Sequence, residues 1–209
     1  MKIIGVVGSA RHGANTATLV EKVLEGARAR SAAVSEHAGT AQRRESPRFI
    51  PGTTETVLYY VDDLEIGPCQ ACESCKQTAV CVQHDGMGAL YQAIQESRGL
   101  VLGTPIYLDH VSAQTKIFLD RLYAYLGPNL ENHFPPGYKA VVVVTWGDGD
   151  PHAYDDVITW IQRRLSGYWD IETVAVVAAP NADARPMREQ PDRLQEALAA
   201  GVKLVESLA

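Results

Sequence analysis

Lys2-Ile3-Ile4-Gly5-Val6-Val7-Gly8-Ser9-Ala10-Arg11-His12-Gly13-Ala14-Asn15-Thr16 is the stretch that decides the fold. Its first six residues form a continuous, short, β-branched run, the pattern of a strand buried on both faces. Small and polar residues follow, and Ala17 to Arg30 then places Leu19, Val20, Val23, Leu24 and Ala27 at helical spacing. Asn15 or Thr16 can cap that helix. The loop therefore ends at a helix N-terminus, where backbone N–H groups favour an anion. It has neither the Lys-Ser/Thr of a P-loop nor the Gly-x-Gly-x-x-Gly of a dinucleotide fingerprint. Ser9, Arg11, Asn15 and Thr16 are candidates to hold a single phosphate. An ordinary strand-to-helix loop with a capped helix is an equally open reading of these residues.

The same alternation continues. Strands are expected at Glu55–Val61, Gly99–Gly103, Lys139–Val144 and Ile171–Ala178, with helices near 86–97, 111–125, 155–168 and 188–208. Five strands alternating with helices predict a doubly wound α/β sheet with right-handed crossovers, in one domain spanning 1–209. Residues 31–54 show no period and read as a variable surface insertion, with a helical extension at its start. Ligands in such sheets bind beyond the carboxyl ends of the strands. Thr104-Pro105-Ile106-Tyr107 and Thr145-Trp146-Gly147 occupy two such ends. Met singly, Tyr107 reads as a core aromatic, Trp146 as a strand-end anchor and Arg121 as a solvated helix charge.

All four cysteines fall in one loop, within 67–87. Cys69, Cys72, Cys75 and Cys81 have the spacing C-x2-C-x2-C-x5-C. Thiolates suit soft metals, and four complete a zinc site or an iron–sulfur cluster. Zinc knuckles usually separate two C-x2-C pairs by a longer loop. Two disulfides, or a redox dithiol with two idle cysteines, are the structural alternatives. The loop leaves the second strand at its carboxyl end, so it is expected on the ligand rim.

The chain has 209 residues, a net charge of −6 and 46% hydrophobic residues. No basic run tracks a phosphate backbone, which argues against a nucleic-acid partner. The longest apolar runs are too short to span a bilayer. The apolar start is also too short for a signal peptide, and Arg11-His12 follow it at once. The expectation is a cytoplasmic protein in a reducing compartment, where clustered cysteines favour metal or redox chemistry over disulfides.

Taken together, residues 8–16, the cysteine loop with His84-Asp85-Gly86-Met87, Gly103-Thr104-Pro105-Ile106-Tyr107, and Ser112 to Lys116 with Asp120-Arg121 resemble the iron–sulfur flavoproteins. These belong to the wider NADPH-dependent FMN reductase group. The resemblance covers most of the chain in order. Two features depart from it: His84-Asp85-Gly86-Met87 stands where two consecutive acidic residues before the Met are usual, and the 31–54 segment is longer than the usual connection. The resemblance implies a flavodoxin-like sheet in the order 2-1-3-4-5, bound FMN and a [4Fe–4S] cluster. It implies that Ser9, Arg11, Asn15 and Thr16 hold the FMN phosphate, and that Thr104, Pro105, Ile106 and Tyr107 line the isoalloxazine. It further implies that Thr145, Trp146 and Gly147, a looser match, form a third flavin loop, and that Cys69, Cys72, Cys75 and Cys81 ligate the cluster. No acid–base catalytic residue is singled out. The leading expectation is an FMN-dependent oxidoreductase moving electrons between flavin and cluster, with NAD(P)H as an electron donor and a small molecule or protein as partner. A homodimer or homotetramer is implied. The alternatives are a cluster-free NAD(P)H-dependent FMN or quinone reductase, and a non-enzymatic flavodoxin-like carrier or zinc-stabilised module.

Overall fold

A computed structural model describes the backbone of residues 1–38 and 54–209. The insertion expected at 31–54 falls largely outside these residues. Its beginning, through Ala38, continues the first helix.

The elements in order are β1 (Lys2–Val7), α1 (Asn15–Ala38), β2 (Glu55–Tyr60), α2 (Cys75–Thr78), α3 (Met87–Glu96), β3 (Gly99–Tyr107), β4 (His110–Val111), α4 (Ala113–Arg121), β5 (Lys139–Thr145), α5 (Asp155–Trp169), β6 (Glu172–Ala179) and α6 (Pro191–Ser207). β1, β2, β3, β5 and β6 form a parallel sheet in the order β2-β1-β3-β5-β6. With β4 set aside, this is the 2-1-3-4-5 order of a flavodoxin-like fold. The described sheet has six strands rather than five, because β4 pairs antiparallel with the end of β3.

Alternation within each strand builds two cores. Ile3, Val7, Val101, Val141, Val143 and Val177 pack under α1 and α6. Ile4, Val6, Leu100, Leu102, Val142 and Val144 pack under the α3, α4 and α5 side, with Met87, Phe118 and Ile161. Both faces are covered, which explains why the strands read as unbroken apolar runs. α1 and α6 touch backbone to backbone. A β-carbon on Gly26 would lie 2.9 Å from the Leu198 carbonyl carbon, and one on Gly201 2.8 Å from Ala27 N. Only glycine permits this approach at both positions.

Two boundaries differ most from expectation. β3 runs through Thr104–Tyr107, which the sequence marks as loop. Its ladder with β1 ends at Gly103, and Pro105 lies beyond it, where the lost N–H breaks no bond to β1. After Tyr107 the chain turns through Leu108 and Asp109, both with positive φ (46° and 62°), and pairs back through His110. This is the two-residue hairpin geometry that usually calls for Asn-Gly. The helix expected over 111–125 ends at Arg121 and finishes as a 3-10 turn, Leu122–Tyr125.

Candidate functional site

The carboxyl ends of β1, β3 and β5 open into a cleft of about 110 Å³. Of the residues assigned above to the flavin, Ser9, Arg11, Asn15, Thr16, Pro105, Ile106, Tyr107, Thr145, Trp146 and Gly147 line it. Thr104 does not. It is fully buried, and its Oγ1 accepts from Ser112 N at 3.2 Å and donates to Pro105 O at 2.9 Å. Its work is to tie the β3 end to the start of α4. Ala182 and Asp183, from the loop after β6, also line the cleft. Their position beyond another strand's carboxyl end was the available signal for them.

Several lining side chains are already engaged. Asn15 spends both ends of its amide on the β6–α6 connection: Nδ2 donates to Ala182 O at 2.7 Å, and Oδ1 accepts from Met187 N at 2.9 Å. Thr16 Oγ1 shares a 2.7 Å hydrogen bond with Thr145 Oγ1, joining α1 to β5. Ser9 Oγ accepts from Arg11 N at 3.2 Å. Trp146 is buried and donates from Nε1 to Asp150 O at 3.1 Å, so it braces the third loop from beneath. What remains for an anion is the first turn of α1, which contains no acidic residue, and Arg11. The first N–H groups of a helix have no partner within it and attract negative charge. Half-exposed Tyr107 stands beside Pro105 and Ile106 as a flat wall. The cleft thus offers a phosphate seat at one end and an aromatic, stiff-backed edge at the other, which fits FMN.

The floor of the β1–α1 loop is fixed by α4. Ser112 caps that helix by accepting from Thr115 N at 3.2 Å, and its hydroxyl donates to Gly8 O at 2.5 Å. Gly8 leaves no room above Thr115: a β-carbon there would lie 2.9 Å from Thr115 Cβ and closer still to its hydroxyl.

The cysteine loop behaves differently from the rim position expected of it. It leaves β2 at the carboxyl end but packs against the far end of α4. Cys69, Cys72, Cys75 and Cys81, all free thiols, line a single small cavity with Arg121, Tyr123 and Ala124. This cavity shares no lining residue with the cleft at the strand ends. α4, nine residues and roughly 13 Å long at 1.5 Å per residue, begins beside the β1–α1 loop and ends at the cysteines. Among the described residues, no three His, Cys, Asp or Glu side chains are grouped for a single metal ion. A zinc ion would need its sulfurs about 2.3 Å away on every side.

The loop backbone is unusual. Ala71 and Glu73, on either side of Cys72, have positive φ (51° and 58°), and Ala79 has 56°. Left-handed backbone at non-glycine residues costs of order 1–3 kcal/mol and persists where surroundings enforce it. Left-handed Glu73 followed by right-handed Ser74 gives the sign change that forms anion-binding concavities at many iron–sulfur sites. Hydrogen bonds from Ser74, backbone first and hydroxyl second, hold the Cys72 thiol below its ordinary pKa. Burial pushes the Cys75 thiol up, partly offset by Lys76. Lys76 anchors α2, donating to Tyr123 O at 3.1 Å and Leu126 O at 2.5 Å.

Arg121 is the feature that sequence reading missed. It is 1% exposed, not solvated. Nη1 donates to Asp85 Oδ2 at 2.5 Å and to Gly67 O at 2.9 Å, and Nη2 donates to Asp85 Oδ1 at 3.0 Å and to Cys81 Sγ at 3.5 Å. Burial alone would raise the Asp85 carboxyl. Arg121 and the N–H groups of Gly67 and Met87 reverse this and leave it below its ordinary value.

The sequence matches the NADPH-dependent FMN reductase family over residues 1–162. This chain belongs to that family. The NADPH-dependent FMN reductases are flavodoxin-like, FMN-dependent oxidoreductases. An iron–sulfur flavoprotein of Methanocaldococcus jannaschii is 31% identical over 121 residues, 58% of this chain and 51% of that protein. The chain thus spans about half the length of that relative. An iron–sulfur flavoprotein of Archaeoglobus fulgidus is 27% identical over 208 residues, 99% of this chain and 80% of the relative. Among solved structures, an NAD(P)H:quinone oxidoreductase from Methanothermobacter marburgensis superposes with a TM-score of 0.66 at 14% identity, covering 98% of this chain and 96% of that one. That likeness is one of fold. Among the described residues, no helix of this FMN reductase family member is long and apolar enough to cross a membrane.

Proposed function

We propose that this chain is an FMN-dependent oxidoreductase that passes electrons between FMN and a [4Fe–4S] cluster held by Cys69, Cys72, Cys75 and Cys81. The observation that carries the reading is the convergence of four free thiols on one cavity, with an N–H donor at Cys72 and a guanidinium at Cys81. That donor set is chemically suited to an anionic iron–sulfur centre. Names of the relatives support it from the other side, since proteins called iron–sulfur flavoproteins match the region holding these cysteines.

The chain's own part is binding and tuning. The α1 N-terminus and Arg11 take the phosphate, with Ser9 and Thr16 beneath it. Pro105 and Ile106 stiffen the edge along the ring, and Tyr107 covers it. Ser112 and Thr115 hold the phosphate loop from below, and Asn15 ties it to the β6–α6 connection. When bound, FMN exchanges electrons singly or in pairs and the cluster singly, so together they couple two-electron to one-electron partners. The single domain 1–209 is read as carrying both. A homodimer or homotetramer forms part of the proposal: the two sites lie at opposite ends of α4, and a neighbouring copy can bring its cysteine face to this cleft. NAD(P)H, or another small molecule or protein, supplies the electrons.

Purification without oxygen, followed by FMN, iron, sulfide and zinc analysis, tests this. The wild type is expected to hold FMN, iron and acid-labile sulfide. Cys75→Ala should lose iron and sulfide while keeping yellow FMN absorbance. A wild type with full FMN and no iron is a cluster-free reductase. One zinc per chain, with unfolding of Cys75→Ala, makes the loop a structural knuckle.

A further inference from the structure

Arg121 is the largest fully buried side chain of the described protein, and it ends α4 directly under the cysteine cavity. Its partners have a pattern. Gly67 and Asp85 are the two ends of the cysteine loop. Gly67 donates its N–H to Asp85 Oδ2 at 3.1 Å, and Arg121 binds the Gly67 carbonyl and both Asp85 oxygens. Asp85 also accepts from Met87 N at 3.1 Å, which sets the start of α3. Arg121 therefore closes the loop at its neck. Its own carbonyl accepts from Tyr91 Oη at 2.7 Å, which fixes the end of α4.

A neck alone does not require this residue. A buried ion pair is often no more stabilising than packed apolar groups of the same volume. The arrangement has one further contact: Nη2 reaches past Asp85 to Cys81 Sγ at 3.5 Å. Nε is buried and has no hydrogen-bond partner among the described residues. The guanidinium is thus not fully spent on the clasp, and the Asp85–Arg121 pair presents its positive end to the Cys81 sulfur.

We propose that Arg121 is a positioning residue with two tasks: it closes the cysteine loop at Gly67 and Asp85, and through Cys81 it raises the reduction potential of the cluster. This rests on the cluster reading above. Cluster potentials follow net charge and hydrogen bonds to the sulfurs. Each electron taken up adds one negative charge, so a fixed cation against a ligand sulfur stabilises the reduced form more than the oxidised form. Asp85 moderates the effect by neutralising most of the guanidinium charge. The two residues set the potential in opposite directions.

The test is an anaerobic titration of the holoprotein with dithionite, the one-electron donor, followed by electron paramagnetic resonance. Iron and FMN are counted in parallel. Asp85→Asn leaves the guanidinium uncompensated and should shift the midpoint upward. The double variant Arg121→Gln/Asp85→Asn keeps hydrogen bonding at the neck but removes the pair. Its midpoint should lie below the wild type, and its reduction equilibrium should fall at least tenfold relative to Asp85→Asn, a shift of about 59 mV for one electron. Arg121→Lys keeps the charge and should lie between wild type and double variant. FMN content should stay at the wild-type level in all three. Full iron with unmoved midpoints would overturn the tuning role while leaving the cluster reading intact. Loss of iron from every variant would also overturn it, reducing Arg121 to a clasp. A wild type without iron would overturn both, and iron analysis of the wild type separates that failure from the others.

Discussion

Gly8→Ala places one methyl group where β1 hands over to the loop proposed to seat the phosphate, and two effects compete over the result. Replacing glycine with alanine usually stabilises by roughly 0.4–1 kcal/mol through the unfolded chain, wherever the native backbone accepts it. Here the backbone is compatible but the space is not. The new carbon would lie 2.9 Å from Thr115 Cβ and 3.0 Å from Ser112 Oγ, with the Thr115 hydroxyl nearer still. Thr115 and Ser112 are buried N-terminal residues of α4 and cannot swing away. Overpacking of this kind costs about 1–3 kcal/mol. Displacing Ser112 from Gly8 O adds about 1 kcal/mol. The steric side wins, for a net loss of roughly 1–3 kcal/mol after the entropic gain. At this chain length that lowers Tm by roughly 2–12 °C, read by far-ultraviolet circular dichroism. The phosphate loop must lift, so FMN affinity should fall tenfold or more in a flavin fluorescence titration, about 1.4 kcal/mol. A double-mutant cycle sharpens the test. Thr115→Ala removes the nearest clashing atom, so Gly8→Ala/Thr115→Ala should be more stable than the sum of the single changes by at least about 1 kcal/mol. Thr115→Val keeps a clashing atom and should give no such gain. If Gly8→Ala melts at or above the wild type and binds FMN equally well, the α4 cap does not support this loop.

Other expectations follow from the same contacts. FMN should bind far more tightly than riboflavin, since charge-assisted bonds of about 1.5–3 kcal/mol each act on the phosphate; equal affinities would remove the anion seat at α1. Asn15→Ala should destabilise by roughly 1–3 kcal/mol through the lost bridge to Ala182 and Met187, seen as a lower urea midpoint. An unchanged midpoint would mean that the bridge is idle. The depressed Asp85 carboxyl makes a contribution that is complete above its unfolded value of roughly 3.9 and is lost as pH falls through its lower folded value. Wild type and Asp85→Asn should therefore differ most near neutral pH, and their urea midpoints should converge in acid. A gap that is constant with pH would show that Asp85 is not held ionised by Arg121.

Much of this was readable from local pattern. The run Ile3 to Val7 is apolar on both sides because each face of β1 is covered, and that alone announces a parallel sheet. The rim loops were readable because strand ends and ligands coincide in such sheets. What stayed hidden depends on partners far apart in sequence. Arg121 looks like any helix-end charge until Asp85 and Gly67, 36 and 54 positions away, are folded beneath it. Asn15 has the right chemistry for a phosphate, yet its amide is used by residues 167 and 172 positions away. Ala71, Glu73 and Ala79 gave no hint of their left-handed backbone, since glycine or asparagine would be the usual sign. The cysteine loop was misplaced on the rim because its origin at β2 was legible and the anchor of Lys76 on the end of α4 was not.

The glycine contact between α1 and α6 also bears on the order in which the molecule can be assembled. α1 follows the first strand and α6 is the last described element, yet each needs the other's backbone to close over Val101, Val141, Val143 and Val177. Until α6 arrives, that face of the sheet has half its cover. Pairings across so long a stretch of chain are slow to form and leave apolar surface open to misassembly. Chains halted before Pro191 should bind hydrophobic dyes that the finished protein ignores. During synthesis, then, that face of the sheet is only half covered until α6 clears the ribosome.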